Sequence, residues 1–369
     1  MKLSIEKKVM LEKLNLVQGI AERRATMPIL SHILIRCSEN RVNITATDLE
    51  TTLSTWAEAE VEIGENGSSM ALPARKLFEI IKELPEGNIK IEEIKNNWVE
   101  LKTSSGNYKI AGLPGDDFPI LPEIQTDDFF TIDSGILDEL ISKTIYSVSP
   151  DDLRRNLAGI YFEKTDNGSL RLVATDGHRL SLAEKKIDEE VVLKSNVLVP
   201  RKAVTELRKI LKQLKSIKIG YEKNFFITLG EDLVLFSRLI DADFPDYKQV
   251  IPESSEIEIN LNRDVFLSAL KRVCVFSSEK TKSVKLNLEN NSITLTSVSP
   301  DVGEAKESFS TEYQGEPKEV GFNGNYIIDV LETMSEAEIK FQLTDELSPT
   351  VLKPAENDNY VSVVMPMRI

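Results

Sequence analysis

Leu170-Arg171-Leu172-Val173-Ala174-Thr175-Asp176-Gly177-His178-Arg179-Leu180-Ser181-Leu182 reads as two strands folded back on a turn. Leu170, Leu172 and Ala174 before the turn, and Leu180 and Leu182 after it, recur at the period of half-buried strands. Between them Asp176-Gly177 is a two-residue hairpin signal, because Gly takes a positive φ without steric cost and Asp tolerates it. The turn also gathers Thr175, Asp176, His178 and Arg179, and His178 is one of only 2 histidines in the chain. A structural turn and a reactive cluster are both open readings of these residues.

Outward from this stretch, the same succession of elements occurs three times. Leu3 to Ile5 reads as a strand, Val9, Leu11, Leu14, Leu16, Val17 and Ile20 recur near helical spacing, and Pro28 forbids further helix. Strands at Ile29 to Arg36 and Arg41 to Ala46 lead to Thr47-Asp48-Leu49-Glu50. Leu72-Pro73-Ala74-Arg75-Lys76 then opens a second helix through Leu84. Phe118-Pro119-Ile120-Leu121-Pro122 reads as a boundary. The unit restarts with a strand at Phe130 to Asp133 and a helix from Ile136 to Val148. Thr175-Asp176-Gly177-His178 falls where Thr47-Asp48-Leu49-Glu50 fell, and Val199-Pro200-Arg201-Lys202 falls where Leu72 to Lys76 did. The offset is roughly 127 residues, and Phe244-Pro245-Asp246-Tyr247 echoes Phe118-Pro119 at nearly that interval. A third copy has a strand at Ile257 to Leu261, a helix from Arg263 to Val275, Pro300-Asp301 near the turn position, and a helix opened by Phe322 to Tyr326. This ordered recurrence predicts three homologous α+β domains, 1–125, 126–253 and 254–369, each laying a helix pair on a largely antiparallel sheet.

At 369 residues the chain is long enough for several cores, and no apolar run approaches the ~18 residues of a membrane span. Charges at the start of the chain leave no apolar segment of a signal peptide, and 2 cysteines are too few for a disulfide framework, so a reducing cytoplasm is expected. The net charge of −15 argues against charge-driven adhesion to nucleic acid over the whole surface, while permitting a local basic face. The clearest helix is expected from Arg201 to Ile217. Val204, Leu207, Leu211 and Leu214 form its apolar stripe, with Arg201, Arg208, Lys212 and Lys215 to one side. Lys202, Lys209 and Lys218 add positive charge. Other helix ends carry bases too, at Arg23-Arg24, Arg75-Lys76, Arg154-Arg155 and Lys271-Arg272, which suggests one electropositive surface on an acidic body.

An enzyme would have to be built on Asp176, His178 and Arg179, as a general acid/base and anion-binding cluster of a hydrolase. Everything in it sits on one turn, with no identifiable nucleophile elsewhere. His32 and His178 lie near no Cys or second His at metal-ligand spacing, and there is no Gly-rich phosphate loop or nucleophile elbow. No metal and no cofactor is expected.

With the triple repeat, Ala174 to Leu180 and the terminal Val364-Met365-Pro366-Met367-Arg368-Ile369, the chain closely resembles the bacterial DNA polymerase III beta subunits, the sliding clamps. Further matching pieces are Pro28-Ile29-Leu30, Thr47 to Glu50, Pro73 to Lys76, Phe118-Pro119, Val199 to Lys202, Phe244 to Tyr247 and Gly321-Phe322-Asn323. The resemblance implies a DNA polymerase processivity factor: a head-to-tail homodimer closed into a ring, helices lining the hole and antiparallel sheets outside. It implies contacts to duplex DNA, without sequence preference, from Arg24, Arg75, Arg154, Arg201, Lys202, Lys209 and Lys212. Arg155 and Asn156 stand where the family often has loop aromatics. It also implies a hydrophobic pocket for short peptides of the DNA polymerase III catalytic subunit, the clamp loader, other polymerases and repair proteins. By matched position the pocket is Leu157, Thr175, Gly177, His178, Arg179, Leu180, Pro245, Val250, Asn323, Tyr326, Leu347, Val363, Met365, Pro366, Met367 and Arg368, with Gln249 where relatives commonly carry Arg. Lys109 and Ile110 are expected to face Val275, Phe276, Glu304 and Glu307 of another copy.

A size argument supports two copies. Helices about 10 Å across enclose a hole of only roughly 9 Å when six stand side by side, and roughly 28 Å when twelve do. Duplex DNA, roughly 20 Å wide, passes only the larger ring, and head-to-tail contacts that close after two chains satisfy the symmetry rule. The competing readings are the hydrolase above and a multidomain adaptor that does not encircle DNA.

Overall fold

The computed structural model describes residues 1–22, 27–62, 69–119, 124, 128–188, 190–193 and 195–368. Arg23, Arg24, the Ile120-Leu121-Pro122 part of the Phe118 to Pro122 connector, and Ile369 lie outside the described residues. By internal contacts the chain divides into two compact units. One is Met1–Gly135 with Lys202–Leu239, and the other is Ile136–Arg201 with Ile240–Ile369.

The first unit holds two antiparallel sheets. One runs, in spatial order, Glu60–Glu62, Lys2–Glu6, Asn88–Glu93, Trp98–Lys102 and Asn107–Ala111. The other has nine strands: Leu113–Pro114, Ser69–Pro73, His32–Ser38, Arg41–Thr47, Thr51–Glu58, Leu233–Arg238, Phe225–Leu229, Ser216–Glu222 and Phe129–Asp133. In the second unit an eight-stranded sheet runs Val197–Pro200, Gly159–Lys164, Leu170–Thr175, Arg179–Lys185, Tyr360–Val364, Thr350–Pro354, Glu338–Leu343 and Ile257–Asn262. A four-stranded sheet runs Gly303–Ser310, Ser292–Ser299, Ser283–Glu289 and Lys318–Asn323.

Both large sheets are fusions of two repeats. Thr51–Glu58 pairs antiparallel with Leu233–Arg238 from Leu233↔Thr55 to Ser237↔Thr51. Arg179–Lys185 pairs with Tyr360–Val364 from Arg179↔Val364 to Ala183↔Tyr360. In each case the strand that follows a Thr-Asp turn meets the last strand of the next repeat. The second repeat therefore gives half its strands to each unit.

Six α-helices accompany these strands among the described residues: α1 Lys7–Val17, α2 Ala74–Glu83, α3 Ser134–Ser142, α4 Arg201–Leu211, α5 Arg263–Cys274 and α6 Gly324–Thr333. Each begins directly after a strand. In α2, Ala74, Leu77 and Ile81 are buried while Arg75, Lys76 and Lys82 are exposed. In α4, Ala203, Val204, Leu207, Ile210 and Leu211 are buried. Each such Leu or Ile contributes roughly 1.5–3 kcal/mol through its removal from water.

Three sequence expectations are corrected. Helix α4 stops at Leu211, short of Ile217. Ile217 and Lys218 belong to the strand Ser216–Glu222, where they pair with Ile132 and Thr131, so Lys218 is not on the helix. The second repeat's first helix ends at Ser142, well before Val148, and a 3-10 turn covers Ile145–Ser147. Thr144 Oγ1 donates back to Leu140 O (2.9 Å) and Ile141 O (3.2 Å), a local bond that competes with continued helix. Finally, the hairpin ladder closes at Thr175↔Leu180, so its tip holds four residues, Asp176 to Arg179, where a two-residue turn was expected.

Candidate partner groove and basic cleft

The tip of that hairpin is held by its own side chains. Thr175 Oγ1 donates to Arg179 O (2.6 Å) and accepts from Gly177 N (3.1 Å). The Asp176 carboxylate accepts from His178 N (2.9 Å) and Arg179 N (3.0 Å). Gly177 sits at φ 87°, where a side chain would be strained. Arg179 is nearly buried, and its guanidinium is fully engaged. It donates to Asp176 Oδ2 (3.1 Å), Asp329 Oδ2 (2.5 Å) and Tyr146 O (2.5 Å), and lies 4.4 Å from the centre of the Tyr326 ring. Arg154, expected on DNA, donates to Asp176 O (2.8 Å) and to Ser149 Oγ (3.1 Å). Two of the three members of the acid/base cluster, Asp176 and Arg179, are thus engaged in building the turn. His178 is exposed and stacks on Tyr326 with ring centres 6.5 Å apart. Burial first, and the Asp176 carboxylate second, push the Tyr326 phenol above its ordinary range.

The C-terminal strand runs beside this turn and continues past it. Met365 N donates to His178 O and Met367 N to Gly321 O, both at 2.9 Å. Pro366 between them has no N–H to satisfy. This leaves a groove of about 270 Å³ lined by Asn156, Leu157, Thr175, Gly177, Arg179, Leu180, Pro245, Tyr247, Val250, Val363 and Met365. Nine of the expected pocket residues are brought together here. His178 and Tyr326 stand beside the groove as a stacked pair. Asn323 instead caps α6, accepting from Asn325 N (3.1 Å). Leu347 is exposed on a separate loop pinned by Asp345, and Pro366, Met367 and Arg368 lie outside the lining.

Tyr247 was not singled out as a lining residue, although its signal was present in the repeated Phe244-Pro245-Asp246-Tyr247. It is buried against Leu180, Val173, Val351 and Val363. Its hydroxyl donates to Glu163 and accepts from Arg171 Nη1 (3.0 Å). Burial, then the Glu163 bond, push its pKa up to about 12.

Basic residues gather in the first unit. A cleft of about 1060 Å³ is lined by Arg75, Lys76, Lys202 and Lys209, with Asn15, Gln18, Phe78, Glu22 and Glu79 among its other walls. Arg75 Nε donates to Glu79 (3.1 Å), and Lys209 pairs with the buried Glu206 (2.7 Å). Lys202 Nζ pairs with Asp48 and donates to Ile20 O (3.2 Å). Arg201 is exposed at the start of α4 and Lys212 just past its end.

Of the expected subunit-contact residues, Lys109 and Ile110 lie on Asn107–Ala111, and Glu304 and Glu307 on Gly303–Ser310. Both are end strands of their sheets. Val275 is 70% exposed and Phe276 36% exposed. Ile110 is buried within the single chain. Glu307 takes the guanidinium of Arg272.

Models of the DNA polymerase III beta subunit match end to end: the N-terminal domain over residues 1–122, the central domain over 131–246 and the C-terminal domain over 248–368. The chain belongs to the DNA polymerase III beta subunit family. The beta sliding clamp of Proteus mirabilis is 35% identical and that of Escherichia coli K12 33% identical, each over 100% of both chains. Among solved structures, the DNA polymerase sliding clamp of Caulobacter crescentus superposes with a TM-score of 0.93 at 32% identity. The DNA polymerase III subunit beta of Pseudomonas aeruginosa gives 0.92 at 31%, both over the full length of each chain. Membership makes this α+β chain of clamp domains a sliding clamp, a processivity factor of DNA replication, in a family that is not catalytic. Neither the hydrolase nor the adaptor reading has support. No helix among the described residues is long and apolar enough to cross a membrane.

Proposed function

We propose that two copies of this chain, each built of repeats at 1–125, 126–253 and 254–369, close head to tail into a ring around duplex DNA. In this reading the groove beside Asp176–His178 captures a short hydrophobic peptide of the DNA polymerase III catalytic subunit, the clamp loader, other polymerases or repair proteins. The protein does no chemistry of its own and works in the reducing cytoplasm, where its buried free thiols, Cys37 and Cys274, would stay reduced.

The observation that carries the tethering role is the groove itself. Leu157, Leu180, Val363 and Met365 offer apolar surface at one place, and the Thr175–Arg179 turn fixes the wall beside it. Methionine repacks around different anchors, which suits a site with several partners. Ring closure is supported by the sheet edges. Two junctions between repeats are made by a strand that follows a turn meeting a strand that ends a repeat. Gly303–Ser310 follows the third repeat's turn and Asn107–Ala111 is the last long strand of the first repeat, and each is an end strand. Pairing these two between copies would place Lys109 near Glu304 and Glu307 and would cover Val275 and Phe276. Arg75, Lys202 and Lys209, sharing one cleft, are the phosphate contacts best supported by position, with Arg24, Arg154, Arg201 and Lys212 as further candidates.

The test is a binding titration with the polymerase III catalytic subunit, alongside molar mass by light scattering. Binding that is lost in Met365→Ala, with a mass twice 41.5 kDa in both proteins, is the expected result. Undiminished binding by Met365→Ala would sink the groove as the tether, and a monomer at micromolar concentration would sink the ring.

A further inference from the structure

The groove floor is one row of a sheet, and the row does not end where the groove does. Leu180 stands opposite Val363, Val363 opposite Val351, and Val351 opposite Gln342. Leu180 and Val363 line the groove, whereas Val351 and Gln342 line a second cavity of about 150 Å³. Val361, two residues from Val363 on the same strand and so on the same face, lines it as well. Val351 and Val363 share one buried cluster with Tyr247, and Ile251 and Val361 pack against it. The other wall is also continuous: Tyr247 and Val250 border the groove, and the next residues, Ile251 to Ser255, border the second cavity.

The chemistry changes along this row. The second cavity carries Glu253, Ser254, Ser255, Gln342, Thr344 and Lys353. Lys353 is neutralised by Asp358 at 2.7 Å, and Gln342 Nε2 donates to Glu258 at 2.6 Å. Glu253 has no ion pair or hydrogen bond among the described residues and is exposed. What the cavity offers a visitor is therefore one unpaired carboxylate, with hydroxyl and amide oxygens around it. Two interstrand spacings of about 4.8 Å separate the middle of the groove from Val351 and Gln342, a span of about three residues of extended chain.

We propose that this cavity is a second subsite for the same partner peptide, taking a lysine or arginine side chain about three residues from the apolar anchor, with Glu253 as its counter-charge. The inference rests on the groove being a peptide site. It adds that partners are ranked by a cationic flank as well as by their apolar residues.

The experiment uses a fluorescein-labelled synthetic peptide centred on two leucines, with Ala, Lys or Glu placed three residues before or three residues after the pair. Each is titrated by fluorescence anisotropy against the full-length protein, Glu253→Gln, Glu253→Lys and Met365→Ala. At one of the two positions Lys should tighten binding about threefold over Ala, as expected of a solvent-screened pair. That gain should vanish in Glu253→Gln and pass to the Glu peptide in Glu253→Lys. Equal ranking of the three peptides in wild type and Glu253→Gln, with the Ala peptide bound and weakened by Met365→Ala, would overturn the subsite and leave the groove standing. An Ala peptide that fails to bind, or that ignores Met365→Ala, would overturn both.

Discussion

The turns at Thr47–Thr51 and Thr175–Arg179 are built alike and used differently. In the first, Thr47 Oγ1 accepts from Leu49 N (3.1 Å), and Asp48 accepts from Glu50 N (3.0 Å) and Thr51 N (2.6 Å). These are the bonds that Thr175 and Asp176 make in the second, and even the positive φ is shared, by Leu49 at 74° and Gly177 at 87°. The surroundings differ. Asp48 is paired with Lys202, and Ile29, Leu30 and Phe118 are buried together in the first unit. In the second unit the matching region is left open as the groove, and Arg179 replaces Thr51 as a staple to Asp329 and Tyr146. The same turn backbone thus stands in two settings, beside the Lys202 pair in the first unit and beside an open groove in the second.

The largest expected break in this comparison is Arg179→Ala. It strands the nearly buried Asp176 and the Tyr146 carbonyl, and should cost about 3 kcal/mol in urea unfolding. Thr51→Ala at the matching position should cost about 1 kcal/mol or less, and equal losses would contradict the contrast. Next, Gly177→Ala should cost about 1 kcal/mol because the left-handed conformation crowds Cβ, whereas Leu49→Gly should be neutral or stabilising.

A third difference lies in alkali. Burial holds Tyr146 and Tyr360 above the ordinary tyrosine range, and burial with the Glu163 bond holds Tyr247 at about 12. All belong to the second unit. As pH rises past about 10 the unfolded chain loses protons that the folded one keeps, so stability falls with pH through that window. Both tryptophans, Trp56 and Trp98, are in the first unit. Circular dichroism should therefore be lost before tryptophan fluorescence changes, and coincident transitions would count against unequal units. The smallest effect is Lys202→Gln, where a half-exposed lysine pairs with the nearly buried Asp48 carboxylate and contributes about 1 kcal/mol or less after solvent screening of the lysine. Its larger consequence should be a shallower salt dependence of DNA binding, read by anisotropy at several ionic strengths.

The repeat was legible because it was carried by local signals: the Thr-Asp turns, prolines before helices, and alternating apolar residues. Local signals also misled. The apolar spacing of α4 runs on through Leu214 to Ile217, but Ile217 is already alternating with Ile219 in a strand. The groove's lining could be named in large part from the resemblance, whereas the roles of Arg154 and Arg179 could not. Their partners, Asp176 O and Asp329, lie 22 and 150 residues away, and only the fold brings them together. The position of Tyr247 was marked by the repeated Phe244 to Tyr247, but the fixing of its hydroxyl by Glu163 and Arg171, 84 and 76 residues away, was not.

Topological retention is the most direct test of the account. The protein is incubated with a bacterial clamp loader, ATP and nicked circular DNA, separated from free protein by gel filtration in moderate salt, and followed after the circle is cut once. The account predicts co-elution with the closed circle and release after linearisation, because the ring holds DNA by enclosing it. Equal retention on circular and linear DNA, or none on either, would contradict it.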